Sequence, residues 1–243
     1  MALPIVETPR YECTLASQDT QVQYRPFLVK EEKILLIAME TGKEKDIYEA
    51  TKQIVDSCTF NTLEVESLPM FDLEYIFLNI RAKSVGEVAK LKLLCPDDKE
   101  TYANVEVDLS KVEVQVDDKH SNEIQINDKI KMVMKYPTIN SFDPSVDATK
   151  LKTEQLFDII ADTVYEIYDG ETVHKGMDYS KEEMKNFIES LTSEHFNKIQ
   201  QFFNTMPRLQ HELEIENPKT KVKSKVVLSG LQSFFVSPSH MTA

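Results

Sequence analysis

Residues 71–80 have the sequence FDLEYIFLNI and follow Pro69. Apolar residues fall on nearly every side of a helix built from this stretch, which is typical of a helix that is packed all round. Upstream, a helix is predicted over residues 30–39, because acidic residues fill its first turn and Gly42 stands where a helix end favours glycine. A second helix is predicted from Asp46. The 71–80 helix should therefore be the most buried of the three.

Short strands are predicted on both sides of these helices. Residues 11–15 and 21–25 are rich in β-forming residues and flank a polar stretch, which predicts an N-terminal hairpin. Between residues 86 and 137, five short and mostly alternating runs are separated by turn residues. They predict a central antiparallel β-meander with one face open to solvent. Residues 209–216 and 222–228 predict a C-terminal hairpin.

A long helix is predicted after the meander. Thr153 can cap it, and it is expected to end at Gly170. Its apolar face would consist of Leu156, Ile159, Ile160, Thr163, Val164 and Ile167. After a short strand at residues 171–175, a second helix starts from a capping box at residues 180–183 and a third begins at Ser193. This part of the chain is therefore expected to be mainly helical.

Together these elements predict an α+β protein. Residues 1–85 would hold the N-terminal hairpin and its helices, residues 86–137 the β-meander, and residues 138–243 the helical C-terminal part with the terminal hairpin. The meander is expected to pack with the first segment as one domain. The chain has 243 residues, enough for one large or two small domains.

Composition argues against several classes of function. The chain has 28 Lys and Arg against 41 Asp and Glu, a net charge of −13, whereas nucleic-acid binding needs a basic face. The longest apolar run, residues 34–39, is far shorter than the roughly 20 residues that span a bilayer. No signal peptide is recognisable, and three widely spaced cysteines do not suggest a disulfide framework. We expect a soluble protein of a reducing cytoplasm, without nucleic acid or membrane as partner.

Recognisable catalytic motifs are also absent from the sequence. The five glycines are isolated, so no loop of the usual type could cradle a phosphate. Cys95 and Pro96 are similar to the first half of a zinc knuckle, but Asp98 stands where a second thiolate is needed. His195 beside Glu194 could act as a base with its orienting group, but no nucleophile accompanies them. We expect no enzyme activity, cofactor, metal or small-molecule substrate.

Charge is unevenly distributed along the chain. Residues 97–128 hold ten acidic residues and three lysines, a balance of −7. This stretch lacks the D-x-D-x-D-G pattern of a calcium loop, and a solvated sheet edge is the simpler interpretation. Four lysines alternate along the last hairpin and would share one face: Lys219, Lys221, Lys223 and Lys225. They could bind an acidic partner or simply keep that face soluble, and both interpretations stay open.

Four stretches resemble one known family. They are RPFLVKEEK at residues 25–33, FDLEYIFL at 71–78, RAKSVGE at 81–87 and KYPT at 135–138. In this order they resemble the baseplate hub and assembly proteins of T-even-type bacteriophages. The likeness covers residues 10–140, and more loosely the last hairpin with the following GLQSFF. No catalytic site is associated with the family, so no functional residue is carried over.

The resemblance implies a late viral protein that helps to build the baseplate of a contractile tail around its hub. It would act through protein–protein contacts with hub or tape-measure proteins, in the host cytoplasm during assembly, and then stay in the virion or leave. One alternative is a chaperone of the tape-measure protein that is absent from the mature virion. Another is a cell-wall-degrading hub enzyme, but no pattern singles out the two carboxylates that a glycosidase needs.

The likeness is densest where the first hairpin is expected to lead into the first helix. Phe27 is expected to lie in the core. Arg25 and Lys30 are predicted to help dock a partner, together with the four lysines of the last hairpin. These six residues are the candidate partner-binding residues.

Overall fold

The computed structural model describes residues 7–141 and 152–234. The helices there are α1 (Val29–Thr41), α2 (Glu44–Cys58), α3 (Met70–Val85), α4 (Thr153–Thr163), α5 (Lys181–Glu189) and α6 (Ser193–Thr205). The strands are β1 (Tyr11–Leu15), β2 (Thr20–Tyr24), β3 (Val88–Leu94), β4 (Tyr102–Asp108), β5 (Glu113–Gln115), β6 (Glu123–Gln125), β7 (Ile130–Met134), β8 (Val164–Asp169), β9 (Thr172–Lys175), β10 (Arg208–Glu216) and β11 (Lys223–Ser229). All strand pairs are antiparallel. The α+β class and both predicted hairpins are confirmed.

The chain forms two compact units. Unit 1 consists of residues 1–115 and 208–243, and unit 2 of residues 116–207. The predicted division into segments 1–85, 86–137 and 138–243 concerns folding domains and stays a prediction. No helix of the described residues has the length and apolar character needed to cross a membrane.

Unit 1 is organised around α3. Four of its apolar residues are fully buried, namely Leu73, Ile76, Phe77 and Ile80, as a helix that is apolar on nearly all sides requires. Leu78 and Ala82 pack in one core with Leu91 of β3 and with Leu209 and Leu228 of the last two strands. The expectation that this helix is the most deeply buried of the first three is confirmed.

The central strands do not form one meander. β3 and β4 form a separate hairpin, β5 joins the sheet β11–β10–β5, and β6 and β7 belong to the sheet β6–β7–β8–β9. Val114 of β5 pairs with Leu209, which lies far along the chain. Alternation of apolar and polar residues shows which face of a strand is buried, but it does not identify the neighbouring strand. The prediction of a meander failed for this reason.

Unit 2 packs its helices against a four-stranded sheet. Its core includes Met132 and Met134 of β7, Ile160 of α4, and Ile199 and Phe202 of α6. The capping box predicted for α5 is present. The Glu183 amide donates to Ser180 Oγ at 3.2 Å, and the Glu183 carboxylate accepts from the Ser180 amide at 2.8 Å. These bonds satisfy backbone groups that a helix start leaves unpaired.

The helix predicted over residues 153–170 is wrong in its second half. α4 ends at Thr163, and residues 164–169 form β8. The Thr163 hydroxyl donates to the carbonyl oxygens of Ile159 and Ile160, at 3.0 and 2.8 Å. β8 then pairs on both sides, and Ile167 lies opposite Met132 of β7 and His174 of β9. Pairing of these β-branched and aromatic residues in a sheet outweighs their helical spacing.

Candidate partner-binding site

Arg25 lies inside the structure where β2, α1 and α2 meet. Its side chain is only 11% exposed. The guanidinium donates to Glu31 Oε1 at 3.0 Å, to the Pro26 carbonyl oxygen at 2.9 Å and to the Ser57 carbonyl oxygen at 3.2 Å. Its backbone amide donates to the Cys58 carbonyl oxygen at 3.0 Å. The residue therefore joins three elements of unit 1 and offers little surface to a partner.

Glu31 completes this arrangement from the first turn of α1. The residue is 1% exposed, and its second carboxylate oxygen accepts from the Leu28 amide at 2.7 Å. Burial opposes ionisation, but the hydrogen bonds from Arg25 and Leu28 outweigh it, so the pKa of Glu31 lies below its ordinary value. The carboxylate is thus a charged, fixed anchor for the start of α1. We call Arg25 and Glu31 together the buried ion pair.

Phe27 and Lys30 flank the buried ion pair. Phe27 is half-buried, and its amide donates to Ser84 Oγ at 2.9 Å. Lys30 is 69% exposed, with Nζ at 3.4 Å from Glu31 Oε1. Of the two cations proposed for docking at this end of the chain, Lys30 alone is accessible.

An exposed surface of α1 lies next to Lys30. Val29 is 80% exposed and Leu36 is 38% exposed. Because seven residues make almost two helical turns, these two side chains project on the same side. Lys30 and Lys33 border this apolar strip and are both exposed. We call Val29, Lys30, Lys33 and Leu36 the α1 face.

The apolar part of this face was not predicted from the sequence. The signal was the apolar run at residues 34–39. A helix buries residues spaced by three or four positions, so six consecutive apolar residues cannot all face the core. Leu35 and Ala38 are buried, whereas Leu36 and Ile37 are exposed.

The four lysines of the last hairpin are all exposed. We call the β10–β11 hairpin with Lys219, Lys221, Lys223 and Lys225 the lysine hairpin. Three of them have glutamate partners in β10: Lys225 Nζ lies 2.6 Å from Glu212 Oε1, Lys223 Nζ 2.9 Å from Glu214 Oε1, and Lys221 Nζ 3.7 Å from Glu216 Oε1. The positive charge is therefore balanced locally. A partner would meet a ladder of mixed charge instead of a purely basic strip.

Two acidic residues at the start of the acidic stretch have a structural role in unit 1. The Asp97 carboxylate accepts from Asn217 Nδ2, with both distances 3.0 Å, and from Thr220 Oγ1 at 2.5 Å. Asp98 accepts from the Thr101 amide at 3.0 Å and the Thr101 hydroxyl at 2.6 Å. These hydrogen bonds hold the pKa of each carboxyl below its ordinary value. The Asp97 bonds fasten the β3–β4 turn to the β10–β11 turn, whereas the Asp98 bonds lie within the β3–β4 turn.

The turn that was compared with a zinc knuckle contains one buried thiol. Cys95 is 1% exposed, and its amide donates to the Thr101 carbonyl oxygen at 2.8 Å. Burial raises the pKa of the thiol, and Asp97 and Asp98 add to this effect. In residues 7–141 and 152–234, no three His, Cys, Asp or Glu side chains are grouped so that they could hold a metal ion. Glu194, considered above as the orienting group of His195, lies with its Oε1 4.0 Å from Lys198 Nζ.

Glu74 is a buried carboxyl that the sequence did not single out. It lies on α3, and its Oε1 accepts from the Leu231 amide at 3.1 Å. Leu231 begins a short 3-10 helix, Leu231–Phe234. Burial raises the pKa of Glu74 to about 7, although the Leu231 amide opposes this shift. Glu74 therefore fixes the end of the described chain to the centre of unit 1.

These observations define an α+β protein whose exposed surfaces include an apolar helix face bordered by lysines and a hairpin of paired charges. A family model described as T4 bacteriophage base plate protein matches residues 8–236. The chain belongs to this family, so the resemblance inferred from the sequence is confirmed and the protein is a bacteriophage baseplate protein. No curated protein and no solved structure matches the chain.

Proposed function

We propose that the protein is a non-enzymatic hub component or assembly factor of the baseplate of a contractile phage tail, and that it acts through protein–protein contacts. The family match over nearly the whole chain carries this proposal. The protein would be made late in infection and bind hub or tape-measure proteins in the host cytoplasm. It would then remain in the tail or be released.

The α1 face supports a role in binding. Burying a side chain of the size of Val or Leu contributes about 1.5–3 kcal/mol when it starts fully exposed. Val29 and Leu36 are partly exposed, so a partner that covers both would gain about 2 kcal/mol in total. The buried ion pair fixes the start of α1, which means that binding need not order this helix first. Lys30 and Lys33 would favour a partner with acidic residues around an apolar centre.

Complementation of a phage that lacks the gene tests the proposal. We expect no complete tails without the protein and full rescue by the wild-type chain. The double variant Val29→Ser, Leu36→Ser should fold but rescue poorly, because it removes the apolar part of the α1 face. Val173→Ser, at an exposed position in unit 2, is the matched control and should rescue. Normal tail assembly without the protein would contradict the proposed function.

Two further measurements separate the versions of this function. Mass spectrometry of purified virions and of infected-cell lysate distinguishes a hub component, present in both, from an assembly factor or tape-measure chaperone, present in the lysate alone. A zymogram on peptidoglycan should show no clearing. Clearing that persists in the purified protein would refute the non-enzymatic part of the proposal.

A further inference from the structure

A groove runs between α1 and α2 in unit 1, on the side of α1 next to the α1 face. Its volume is about 720 Å³. The apolar residues that line it are Ile34, Ile37, Ala38, Ala50 and Val65. Ile37 is 52% exposed, so apolar surface is open to a partner along the groove.

The border of the groove is acidic. Its charged side chains are Asp46, Glu49, Lys52, Asp56 and Glu66, four acids and one base. Lys52 Nζ lies 2.9 Å from Glu66 Oε1 and 3.5 Å from Glu49 Oε2. Within the described residues, Asp46 and Asp56 have no ion-pair partner. The excess negative charge of the groove therefore comes mainly from these two aspartates.

We propose that this groove binds a basic amphipathic helix of a partner protein. Helices bind in apolar grooves through anchors spaced by three or four residues. The apolar floor would take these anchors, and Lys or Arg residues beside them would meet Asp46 and Asp56. Complementary charge of this kind sets orientation and speeds association. The inference rests on the proposed function, because it names the chemistry of one partner in tail assembly.

A designed peptide tests the groove directly on the full-length protein. The probe has about 15 residues, near the shortest length at which an isolated helix is stable, and consists of Leu at helical spacing with Lys elsewhere. Its affinity is measured by isothermal titration calorimetry at low and moderate salt. Ile37→Ser should weaken binding about tenfold, because the peptide would no longer bury the exposed half of the Ile37 side chain. Asp46→Asn with Asp56→Asn should weaken it about fivefold and reduce its salt dependence.

Matched variants and peptides provide the controls. Val116→Ser removes an equally exposed apolar side chain in unit 2, and Asp118→Asn with Asp128→Asn removes the same charge there. Neither should change the affinity. A peptide with the same Leu and Lys content in strict alternation should bind weakly, because it cannot form an apolar helix face. Thermal melting checks that each variant is folded.

Three results would overturn the inference. Equal loss of affinity in the unit 2 charge variant would mean that the peptide senses only the net charge of the protein. Equal binding of the alternating peptide would reduce the groove to an acidic surface. A dimer of the protein that Ile37→Ser dissociates would identify a second copy as the occupant.

The peptide and the phage experiments fail in different ways. If the peptide does not bind but the phage needs the protein, the groove inference fails and the proposed function remains. If tails assemble without the protein, the proposed function fails whatever the peptide does.

Discussion

Removal of Arg25 tests whether the buried ion pair supports the fold. Glu31 is 1% exposed in the wild-type protein, and Arg25→Ala removes the hydrogen bond that joins it to the guanidinium at 3.0 Å. Breaking a buried ion pair on one side costs about 3–5 kcal/mol. The Leu28 amide still bonds Glu31, and Lys30 stays within 3.4 Å. We therefore expect the free energy of unfolding to fall by about 3 kcal/mol, at the lower end of this range.

Urea denaturation followed by circular dichroism measures the loss. Lys30→Ala is the matched control, because Lys30 also lies beside Glu31 but is mostly exposed; its free energy of unfolding should change by no more than about 0.5 kcal/mol. The double variant Arg25→Ala, Glu31→Gln should be more stable than Arg25→Ala alone, since no unpaired charge is then buried. This rescue distinguishes the ion pair from a simple packing defect.

The pH dependence gives an independent check. The pKa of Glu31 is lowered in the folded protein, so its contribution is present above its ordinary value of 4.5 and is lost as the pH falls through the folded value. Arg25→Ala should reduce this acid sensitivity. A loss below about 0.5 kcal/mol, the usual range for surface sites, would refute the reasoning and return Arg25 to the candidate docking residues.

Three other predictions concern charge and metal. Glu74→Gln should raise stability above pH 7 by up to about 3 kcal/mol and flatten the decline in stability between pH 4.5 and about 7. In this pH range the folded wild-type protein retains a proton on Glu74 that the unfolded chain has lost. Unchanged melting curves across this range would contradict the prediction. Replacing the four lysines of the lysine hairpin by Gln should slow association with the hub or tape-measure partner and reduce the salt dependence of the association rate. The melting temperature should change little. A wild-type association rate at low salt would mean that the partner binds elsewhere on the protein. A chelator should leave the melting temperature unchanged, and stoichiometric zinc whose removal unfolds the protein would disprove this.

Local patterns predicted much of the fold. The first three helices were found from their apolar patterns, supported at the first by an acidic first turn and Gly42, and both hairpins from β-forming runs that flank turn residues. β8 was missed because its apolar residues also fit a helical spacing, and only pairing with β7 and β9 decides between the two. The single meander was wrong because β5 pairs with β10, a contact between distant parts of the chain that no local pattern contains.

The candidate site was less predictable than the fold. The sequence identified the lysines of the last hairpin, and all four are exposed. Alternation along a strand applies to Lys223 and Lys225 of β11 only, because the other two lie in the turn before it. The sequence could not show that glutamates of β10 balance them, since this depends on strand register. Arg25 was proposed for docking as a cation near a strand end, but its environment is set by Glu31 and by the end of α2, which only the folded chain brings together.

The pairing of β5 with β10 also constrains the order of events during synthesis. Gln115 is opposite Arg208, although the whole of unit 2 lies between them in the chain. A ribosome releases unit 2 before β10 and β11, so unit 1 must wait for Leu209 and Leu228 to complete its core. Unit 2 has all of its sequence earlier and can fold first. Its folding would bring residues 115 and 208 together in advance and lower the entropic cost of closing so long a loop.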